Sequence, residues 1–256
     1  MFKIATWNVN SLKVRLPHVL TWMEKEKPDV LALQETKSVD ENFPVDAIRE
    51  AGYQVSFTGQ KTYNGVATIS KSPIKTISKG LPNFSDEQKR VLVINTKNII
   101  ILNIYVPNGS EINSEKYKYK LKWLSKLHPY IKKLQKKNSR LIILGDFNIA
   151  PEDRDVHDPK EWDGCVLVSK SERNEFEKLL SNNMIDCFRI FNNENNHFSW
   201  WDYRAASFRR NRGVRIDHIL ASKSMSQSCK ACYIDKGPRK LERPSDHTPV
   251  IGEFDI

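Results

Sequence analysis

The sequence has few cysteines and no long apolar run, and both features limit the kinds of protein that it can encode. Four cysteines in 256 residues are too few for a disulfide framework, which favours a reducing compartment. Cys229 and Cys232 have the spacing of a redox or zinc motif, but no second pair and no nearby histidine completes a tetrahedral site. No segment approaches the roughly 18 apolar residues of a membrane span, and the first residues resemble a strand rather than a signal segment. We therefore expect a soluble, cytoplasmic protein.

Glycine-based nucleotide motifs are also missing. The ten glycines form neither the G-x-x-x-x-G-K-[ST] phosphate loop nor the G-x-G-x-x-G dinucleotide fingerprint. A G-x-S-x-G elbow is absent too, and Ser245 directly precedes Asp246 and His247, which disfavours a serine-hydrolase triad. Acidic, amide and imidazole side chains are therefore the main candidates for chemistry.

Negative charge is in short supply. The chain has 41 Lys and Arg residues against 31 Asp and Glu residues, a net charge of +10. This excess favours a polyanionic partner such as nucleic acid or a phosphorylated small molecule, although a generally basic proteome would give the same balance. The lysines at 132, 133, 136 and 137 have helical spacing and indicate a solvated helix face.

Apolar runs that do not alternate are interspersed with helical patterns. The runs predict strands buried on both faces at 30–33, 99–106 and 141–144. Helical spacing predicts helices over about 11–25, 46–51, 115–137 and 172–182. Ser114 would cap the third helix, Pro129 would kink or break it, and Ser169 with Glu172 would form a capping box for the fourth. The alternation predicts a layered α/β sandwich, and the lack of a linker or repeat predicts one domain over 1–256.

Polar side chains occur where the predicted strands end. In chain order they are Asn8 with Asn10, Gln34 with Glu35, Tyr105 with Asn108, Asp146 with Asn148, Asp217, and Asp246 with His247. Ligands of α/β proteins collect beyond strand ends, so we expect these side chains to converge on one pocket. Asp146 and Asn148 lie two apart in an extended segment and therefore project from the same face.

Such a pocket suits a hard cation and phosphate chemistry. Carboxylates and amides without a cysteine cluster favour Mg²⁺ or Mn²⁺ over zinc, copper or iron. Hydrolysis of a phosphodiester needs a base for water, stabilisation of the pentavalent oxygens and help for the leaving alkoxide. Ordinary structural roles stay open, because Asn8, Asn10 and Asn108 could form turns, Tyr105 could be a core aromatic and Asp217 a cap.

Eight segments, in order and spacing, resemble the exonuclease III family of DNA-repair nucleases. They are TWNVNSL, LQETK, YNGVA, YVPNG, LGDFNIAP, FSWWDYR, NRGVRIDHIL and RPSDHTPV. The resemblance is to bacterial members, which cleave DNA at abasic sites and degrade it from 3′ ends, and it extends over nearly the whole chain. It implies a four-layer α/β sandwich of two packed mixed β-sheets flanked by helices, with the site at one end.

The resemblance also implies the metal ligands. Glu35 would be the principal Mg²⁺ ligand, and Mn²⁺ would substitute. Asn8 and Asp246 would contribute directly or through water. A second metal site would involve Asp146 and Asn148.

Catalytic roles follow from the same resemblance. Asp146 would activate water or, in another version of the mechanism, protonate the leaving group, and Asn148 would orient that water. His247, oriented by Asp217, would contact the scissile phosphate. Tyr105 would assist the leaving group or hold the phosphate. His218 points to the opposite face of its strand from Asp217 and is expected to pack or to support the site from behind.

The segment from Phe198 to Asp217 interleaves aromatic and arginine side chains, as nucleic-acid grooves do. By resemblance, an apolar pocket for an extruded baseless sugar would be lined by Trp200, Val214 and Ile216, and a normal nucleotide would be too large for it. The other substrate-binding residues are expected to be Asn10, Lys37, Lys61, Asn64, Asn108 and Arg204. The expected partner is double-stranded DNA, abasic or with a recessed 3′ end, bound by a monomer.

Alternatives stay open at this point. A phosphatase of inositol phosphates or lipids should lack the aromatic and basic segment around Trp200. A non-specific DNase of the pancreatic type carries a histidine where Tyr105 stands here. A non-catalytic nucleic-acid binder would be favoured by loss of Glu35, Asp146 or His247, and all three are present. The sequence does not fix the balance between abasic-site cleavage and 3′-end degradation.

The affinity of the protein for DNA should depend on the salt concentration. Because a baseless site offers no base to recognise, affinity for DNA should come mostly from phosphate contacts and should fall steeply between about 50 mM and about 200 mM salt. Fluorescence anisotropy with a labelled abasic duplex measures this. Binding that is unchanged over that range would contradict it.

Overall fold

Two six-stranded sheets form the centre of the protein in the computed structural model, which describes residues 1–256. The strands are β1 (Phe2–Asn8), β2 (Val30–Gln34), β3 (Gln54–Thr58), β4 (Val66–Ser70), β5 (Lys75–Ser78), β6 (Val91–Thr96), β7 (Ile99–Tyr105), β8 (Leu141–Asp146), β9 (Met184–Asp186), β10 (Asp217–Ser222), β11 (Cys229–Ile234) and β12 (Val250–Phe254). The helices are α1 (Leu12–Glu26), α2 (Val45–Glu50), α3 (Glu115–Lys137), α4 (Pro159–Trp162), α5 (Lys170–Ser181), α6 (Cys187–Phe191) and α7 (Lys223–Ser226). None of the helices combines the length and apolar character needed to cross a bilayer.

Both sheets are mixed. The first has the order β11-β12-β1-β2-β4-β3 and the second the order β5-β6-β7-β8-β10-β9. The pairs β1 with β2 and β7 with β8 are parallel, and the other neighbours are antiparallel. Parallel neighbours send their carboxyl ends to the same edge, which is what a shared site requires.

Four layers result from the way the apolar side chains face. The sheets pack against each other through residues such as Ile4 of β1 and Leu144 of β8. α1 and α2 cover the outer face of the first sheet, and α3 and α5 cover the outer face of the second. The predicted four-layer α/β sandwich is confirmed, because strands buried on both faces need a layer on either side.

The third predicted helix differs from expectation at one point. α3 begins after its Ser114 cap and runs unbroken through Pro129 to Lys137. Buried side chains lie on both sides of the proline, including Leu127 before it and Ile131 after it. This packing outweighs the missing backbone hydrogen bond, so the expected break does not occur. The capping box of Ser169 and Glu172 is present as predicted.

Polar side chains connect the two sheets beneath the strand ends. Gln34 of the first sheet donates from Nε2 to Thr6 Oγ1 at 2.9 Å and to Asn103 Oδ1 of the second sheet at 2.8 Å. Asn103 in turn donates to the carbonyl of Ala67 at 2.8 Å. A buried amide between sheets is costly unless its hydrogen bonds are made, so this cluster fixes how the sheets align.

Gly145 allows close approach of two parallel strands immediately before Asp146. Its φ is +145°, and a Cβ atom there would lie 1.9 Å from the carbonyl oxygen of Ile104 on β7. Both the backbone conformation and the contact therefore require glycine.

Substitution of this glycine should destabilise the fold strongly. Gly80 is a matched control, since its φ is +137° and nothing lies within 4 Å of the added Cβ. Gly80→Ala should cost about 1–3 kcal/mol from backbone strain alone. Gly145→Ala should cost at least about 2 kcal/mol more, because the clash is with backbone. Urea denaturation measures both, and equal losses would contradict the steric explanation.

Candidate active site

The predicted polar strand ends meet at one edge of the sandwich. In the second sheet, Asp146 pairs in register with Tyr105 on one side and with Asp217 on the other. In the first sheet, Asn8 pairs with Gln34. β1, β2, β7 and β8 contribute their carboxyl ends, whereas β10 and β12 run antiparallel and contribute their amino ends. The convergence inferred from strand order is therefore present in the structure.

Asn8 lies between two carboxylates. Its Nδ2 donates to Glu35 Oε1 at 2.9 Å and to Asp146 Oδ2 at 2.9 Å. Lys37 also contacts Glu35, with 2.9 Å between Nζ and Oε2, and donates to Asn10 Oδ1 at 2.6 Å. Glu35 is thus held by an amide at one carboxylate oxygen and by an ammonium at the other.

The Asp146–Asn148 segment is tightly fixed. Asp146 Oδ1 accepts from the Asn148 backbone amide at 2.9 Å, and Asn148 has a left-handed φ of +49°. Asn148 Nδ2 donates to the carbonyl of Val106 at 2.9 Å, and Asn108 Nδ2 donates to Asn148 Oδ1 at 3.0 Å. Burial raises the pKa of Asp146 to about 7, although the nearby His247 and the Asn8 amide act in the opposite direction.

His247 lies between two acids. Its Nδ1 is 2.8 Å from Asp217 Oδ2, and its Nε2 is 3.8 Å from Asp146 Oδ2. Burial alone would lower the pKa of His247, but Asp217 and then Asp146 outweigh it and raise the pKa to about 10. The imidazole is therefore cationic at neutral pH, and its Nδ1–H donates to Asp217.

Tyr105 presents a neutral hydroxyl to the site. Burial, together with the Glu35 carboxylate, raises the pKa of Tyr105 well above its usual value, so the phenol keeps its proton. The guanidinium of Arg90 lies over the ring, 4.4 Å from its centroid. Tyr105 can therefore donate a hydrogen bond to a phosphate or a leaving oxygen.

A metal ion would fit among these groups. Ligand atoms of Glu35, Asp146 and His247 lie within 4.8 Å of one another. Because His247 is cationic, the carboxylates of Glu35 and Asp146 are the suitable ligands, and their oxygens match a hard divalent ion. Asp246, a predicted ligand, instead accepts from Asn10 Nδ2 at 3.0 Å and from Trp200 Nε1 at 3.0 Å. These contacts suit a water-mediated role better than direct coordination.

A cavity of about 410 Å³ adjoins the acids. Trp162, Trp200 and Ile216 form part of its wall, beside Glu35, Tyr105, Asn108, Asp146, Asn148, Asp246 and His247. Val214, which was expected in this wall, does not line it. Its side chain is fully buried because it packs in an apolar cluster with Ala150, Val156, Leu167 and Ile216. Its backbone pairs with that of Trp200, with 2.9 Å between Val214 N and Trp200 O.

The predicted phosphate contacts are spread around the site. Arg204 lies on the cavity rim, with a side chain 88% exposed and 2.6 Å from Asp202. Asn64 lines a second cavity of about 390 Å³ that shares Glu35, Tyr105 and Asn108 with the first. Lys61 is exposed and lines neither cavity. It is therefore the least integrated of the predicted contacts.

His218 faces away from the site, as expected. Its Nε2 is 2.9 Å from the Ile149 carbonyl, and Arg215 lies 3.0 Å from its Nδ1. Burial and Arg215 lower the pKa of His218 to about 4, so it is neutral and donates to Ile149. It supports the strand behind Asp217.

Sequence reasoning missed Trp162 in the cavity wall and a fully buried ion pair, Lys120 with Glu172, beneath the two site asparagines. The sequence contained a signal for the lysine. Lys120 occupies the buried stripe of α3 between Tyr117 and Leu124, where an apolar residue is normal.

The sequence profile of the Endonuclease/Exonuclease/phosphatase family matches residues 5–247. The chain belongs to this family. The exodeoxyribonuclease III of Haemophilus influenzae is 37% identical over 98% of this chain and 99% of its own length.

Solved structures agree with this assignment to the Endonuclease/Exonuclease/phosphatase family. The 3′ phosphatase NExo from Neisseria, bound to a product DNA hairpin, superposes with a TM-score of 0.98 and 42% identity over 100% of both chains. An AP endonuclease from Archaeoglobus fulgidus gives a TM-score of 0.96 and 38% identity, also over 100% of both chains. Family members are metal-dependent enzymes, in keeping with the acidic cluster.

The protonation of His247 can be tested directly. In metal-free protein kept in EDTA, Asp217→Asn should lower the pKa of His247 from about 10, because the largest attraction for the imidazolium is removed. Histidine NMR titration measures the shift. A His247 pKa that is higher in the folded than in the unfolded protein stabilises the fold below the ordinary histidine pKa. This stabilisation is lost as the pH rises through the folded-state pKa. The melting temperatures of variant and wild type should therefore converge as the pH rises towards about 10.

Asp153→Asn is the control for that titration. Asp153 pairs with Arg173 at 2.8 Å on the exposed surface, and no contact joins it to His247. An unchanged His247 pKa in Asp217→Asn would show that Asp217 is not the group that keeps the imidazole protonated.

Proposed function

We propose that the protein hydrolyses DNA phosphodiesters, at abasic sites, at 3′ ends or at both, and leaves 3′-hydroxyl ends. The observation that carries this is the meeting of Glu35, Asp146 and His247 within 4.8 Å beside an aromatic-walled cavity. The names of its relatives support DNA as the substrate, since they act as an exodeoxyribonuclease III and an AP endonuclease. All three residues whose loss would favour a non-catalytic descendant are present in the sequence, which supports an active enzyme.

We propose Mg²⁺ as the natural ion, with Mn²⁺ as a substitute. Glu35 would be its principal ligand, and Asn8, which donates to both Glu35 and Asp146, would keep the two carboxylates in place. The bound ion would supply Lewis-acid stabilisation of phosphate oxygens and lower the pKa of a bound water. Asp246 would contact such a water, and Asn148 would extend a second site with Asp146.

Proton transfer falls to Asp146. A carboxyl group with a pKa of about 7 can accept a proton from water or give one to a leaving oxygen near neutral pH. Asn148, held by Asn108 and by Val106, would orient the attacking water. The leaving alkoxide would receive a hydrogen bond from the neutral phenol of Tyr105.

His247 and Asn108 would stabilise the negative charge that develops on the phosphate oxygens. His247 is a cation held in place by Asp217, so it faces the developing negative charge without reorganisation. Asn108 would donate to a phosphate oxygen at the boundary of the two cavities. Removal of either donor would leave part of the pentavalent charge without a partner.

The cavity beside Trp200 would hold the damaged nucleotide. Trp162 and Ile216 in its wall would contact a sugar without a base and leave no room for an attached base, so that damage would be selected by size. Val214 would support Trp200 from behind. Phosphates along the DNA would be held by Asn10, Lys37, Lys61, Asn64 and Arg204.

We further infer that residues 1–256 work as one catalytic domain and as a monomer, because the site takes side chains from Asn8 to His247 of a single chain. With DNA as the substrate, the protein would work in the cytoplasm in association with the nucleoid. The 3′ phosphatase activity of the Neisseria relative makes a 3′-phosphate a further substrate to test.

One assay tests the proposal. A duplex with a central abasic analogue, a duplex with a labelled recessed 3′ end and a third duplex with a 3′-phosphate are incubated with Mg²⁺ or with EDTA. We expect EDTA to stop cutting, and Asp146→Ala to slow it by about 10² to 10⁴-fold. Asp46→Ala, an exposed carboxylate on α2, should cut normally. Near-normal cutting by Asp146→Ala would show that Asp146 does not transfer the proton. Cutting in EDTA would show that the reaction needs no divalent metal ion.

A further inference from the structure

Lys120 and Glu172 form an ion pair that is completely buried. Their side chains are both 0% exposed, and the Lys120 ammonium is hydrogen-bonded to Glu172 Oε1. Lys120 lies on α3 and Glu172 in the first turn of α5, so the pair joins the two helices that cover the second sheet. Neither side chain lines the active-site cavity.

Every donor of the lysine has an acceptor. An ammonium has three N–H groups and no acceptor. Besides Glu172, Lys120 Nζ donates to the Asn148 carbonyl at 2.6 Å and to the Asn108 carbonyl at 3.1 Å. The divergent N–H bonds therefore hold the Asn108 and Asn148 carbonyls together beyond the last backbone hydrogen bond between the two segments, from Val106 N to Asp146 O at 2.9 Å.

Those two loops carry side chains that meet in the site. Asn108 donates from Nδ2 to Asn148 Oδ1 at 3.0 Å. Asn148 has a left-handed φ of +49°, and Asn108 is followed by Gly109, whose φ is +97°. Irregular backbone of this kind is held by its hydrogen bonds rather than by a regular ladder.

Glu172 extends the connection to a third loop. Its Oε1 also accepts from the backbone amide of Leu167 at 3.0 Å, and its Oε2 accepts from the amide of Ser169 at 3.1 Å. Leu167 lines the active-site cavity. One buried pair thus holds the loops at 108, 148 and 167 at the same time.

We propose that Lys120, held by Glu172, is a positioning residue that fixes the spacing of Asn108 and Asn148 for phosphate hydrolysis. This rests on the proposed function, since it assigns the pair a role in that same site. Stability alone does not explain the pair, because buried ion pairs are often replaced by apolar or neutral groups without loss of stability. Control of geometry is what an apolar replacement would fail to supply.

The test is a neutral double variant, Lys120→Met with Glu172→Gln, which leaves no uncompensated buried charge. We expect its melting temperature to fall, because the Asn108 and Asn148 carbonyls lose their donor. In the folded variant, kcat on the preferred DNA substrate should fall about 10- to 100-fold, because small displacements of positioned groups have effects of that size. The KM for DNA should change much less, since the surface contacts are untouched.

A double-mutant cycle separates positioning from a general structural role. In an Asn148→Ala background the same double variant should lower kcat by a smaller factor than in the wild type, because one of the two side chains that Lys120 positions is gone. Leu127→Ala is the control, a buried α3 residue whose loss lowers stability and should leave kcat unchanged. Equal losses of kcat in both backgrounds would overturn the proposal.

Lys120→Arg is the second variant, needed if the neutral pair does not fold. It keeps the charge opposite Glu172, but a longer planar guanidinium fits three divergent acceptors poorly, so kcat should again fall. Full kcat in either folded variant overturns the positioning role while leaving the proposed function intact. A wild-type protein that cuts no DNA would instead contradict the proposed function.

Discussion

A single amide group holds the centre of this protein together. Asn8, at the end of β1, donates to Glu35 at the end of β2 and to Asp146 at the end of β8, so it joins the edges of both sheets. Two carboxylates at this distance repel each other, and the amide N–H groups between them offset part of that repulsion. The position of every other group in the site depends on the sheets keeping this alignment, which Gln34 and Asn103 reinforce from below.

Charge in the site is arranged in alternation. The cationic His247 lies between Asp217 and Asp146, and the ammonium of Lys37 lies beside Glu35. Each charge has an opposite neighbour in a region largely shielded from water, where electrostatic interactions are strong. Such an arrangement suits a reaction in which negative charge builds up on phosphate, because the responding groups are in place beforehand.

Much of the fold and of the site could be predicted from the sequence, because apolar runs followed by polar residues mark the ends of strands. The runs before Gln34, Tyr105 and Asp146 predicted doubly buried strands, and their order predicted the cluster. The Asp217–His247 pair was instead implied by the resemblance to the exonuclease III family. What could not be predicted depended on contacts between distant segments. The sequence does not show that packing carries α3 through Pro129 or that Val214 packs in a buried cluster away from the cavity wall. Nor does it show that the ammonium of Lys120 joins the loops at 108 and 148 to Glu172.

The place of β12 in the first sheet has a consequence for synthesis of the protein. β12 lies in the interior of that sheet, between β11 and β1, and the segment leading into it contains Asp246 and His247. While this segment is still inside the ribosome exit tunnel, the folded part of the nascent chain lacks the His247 imidazolium. It also lacks β12, the strand that pairs with β1. Nuclease activity would therefore arise only after β12 has left the tunnel and paired with β1, and products truncated before β12 would lack that activity.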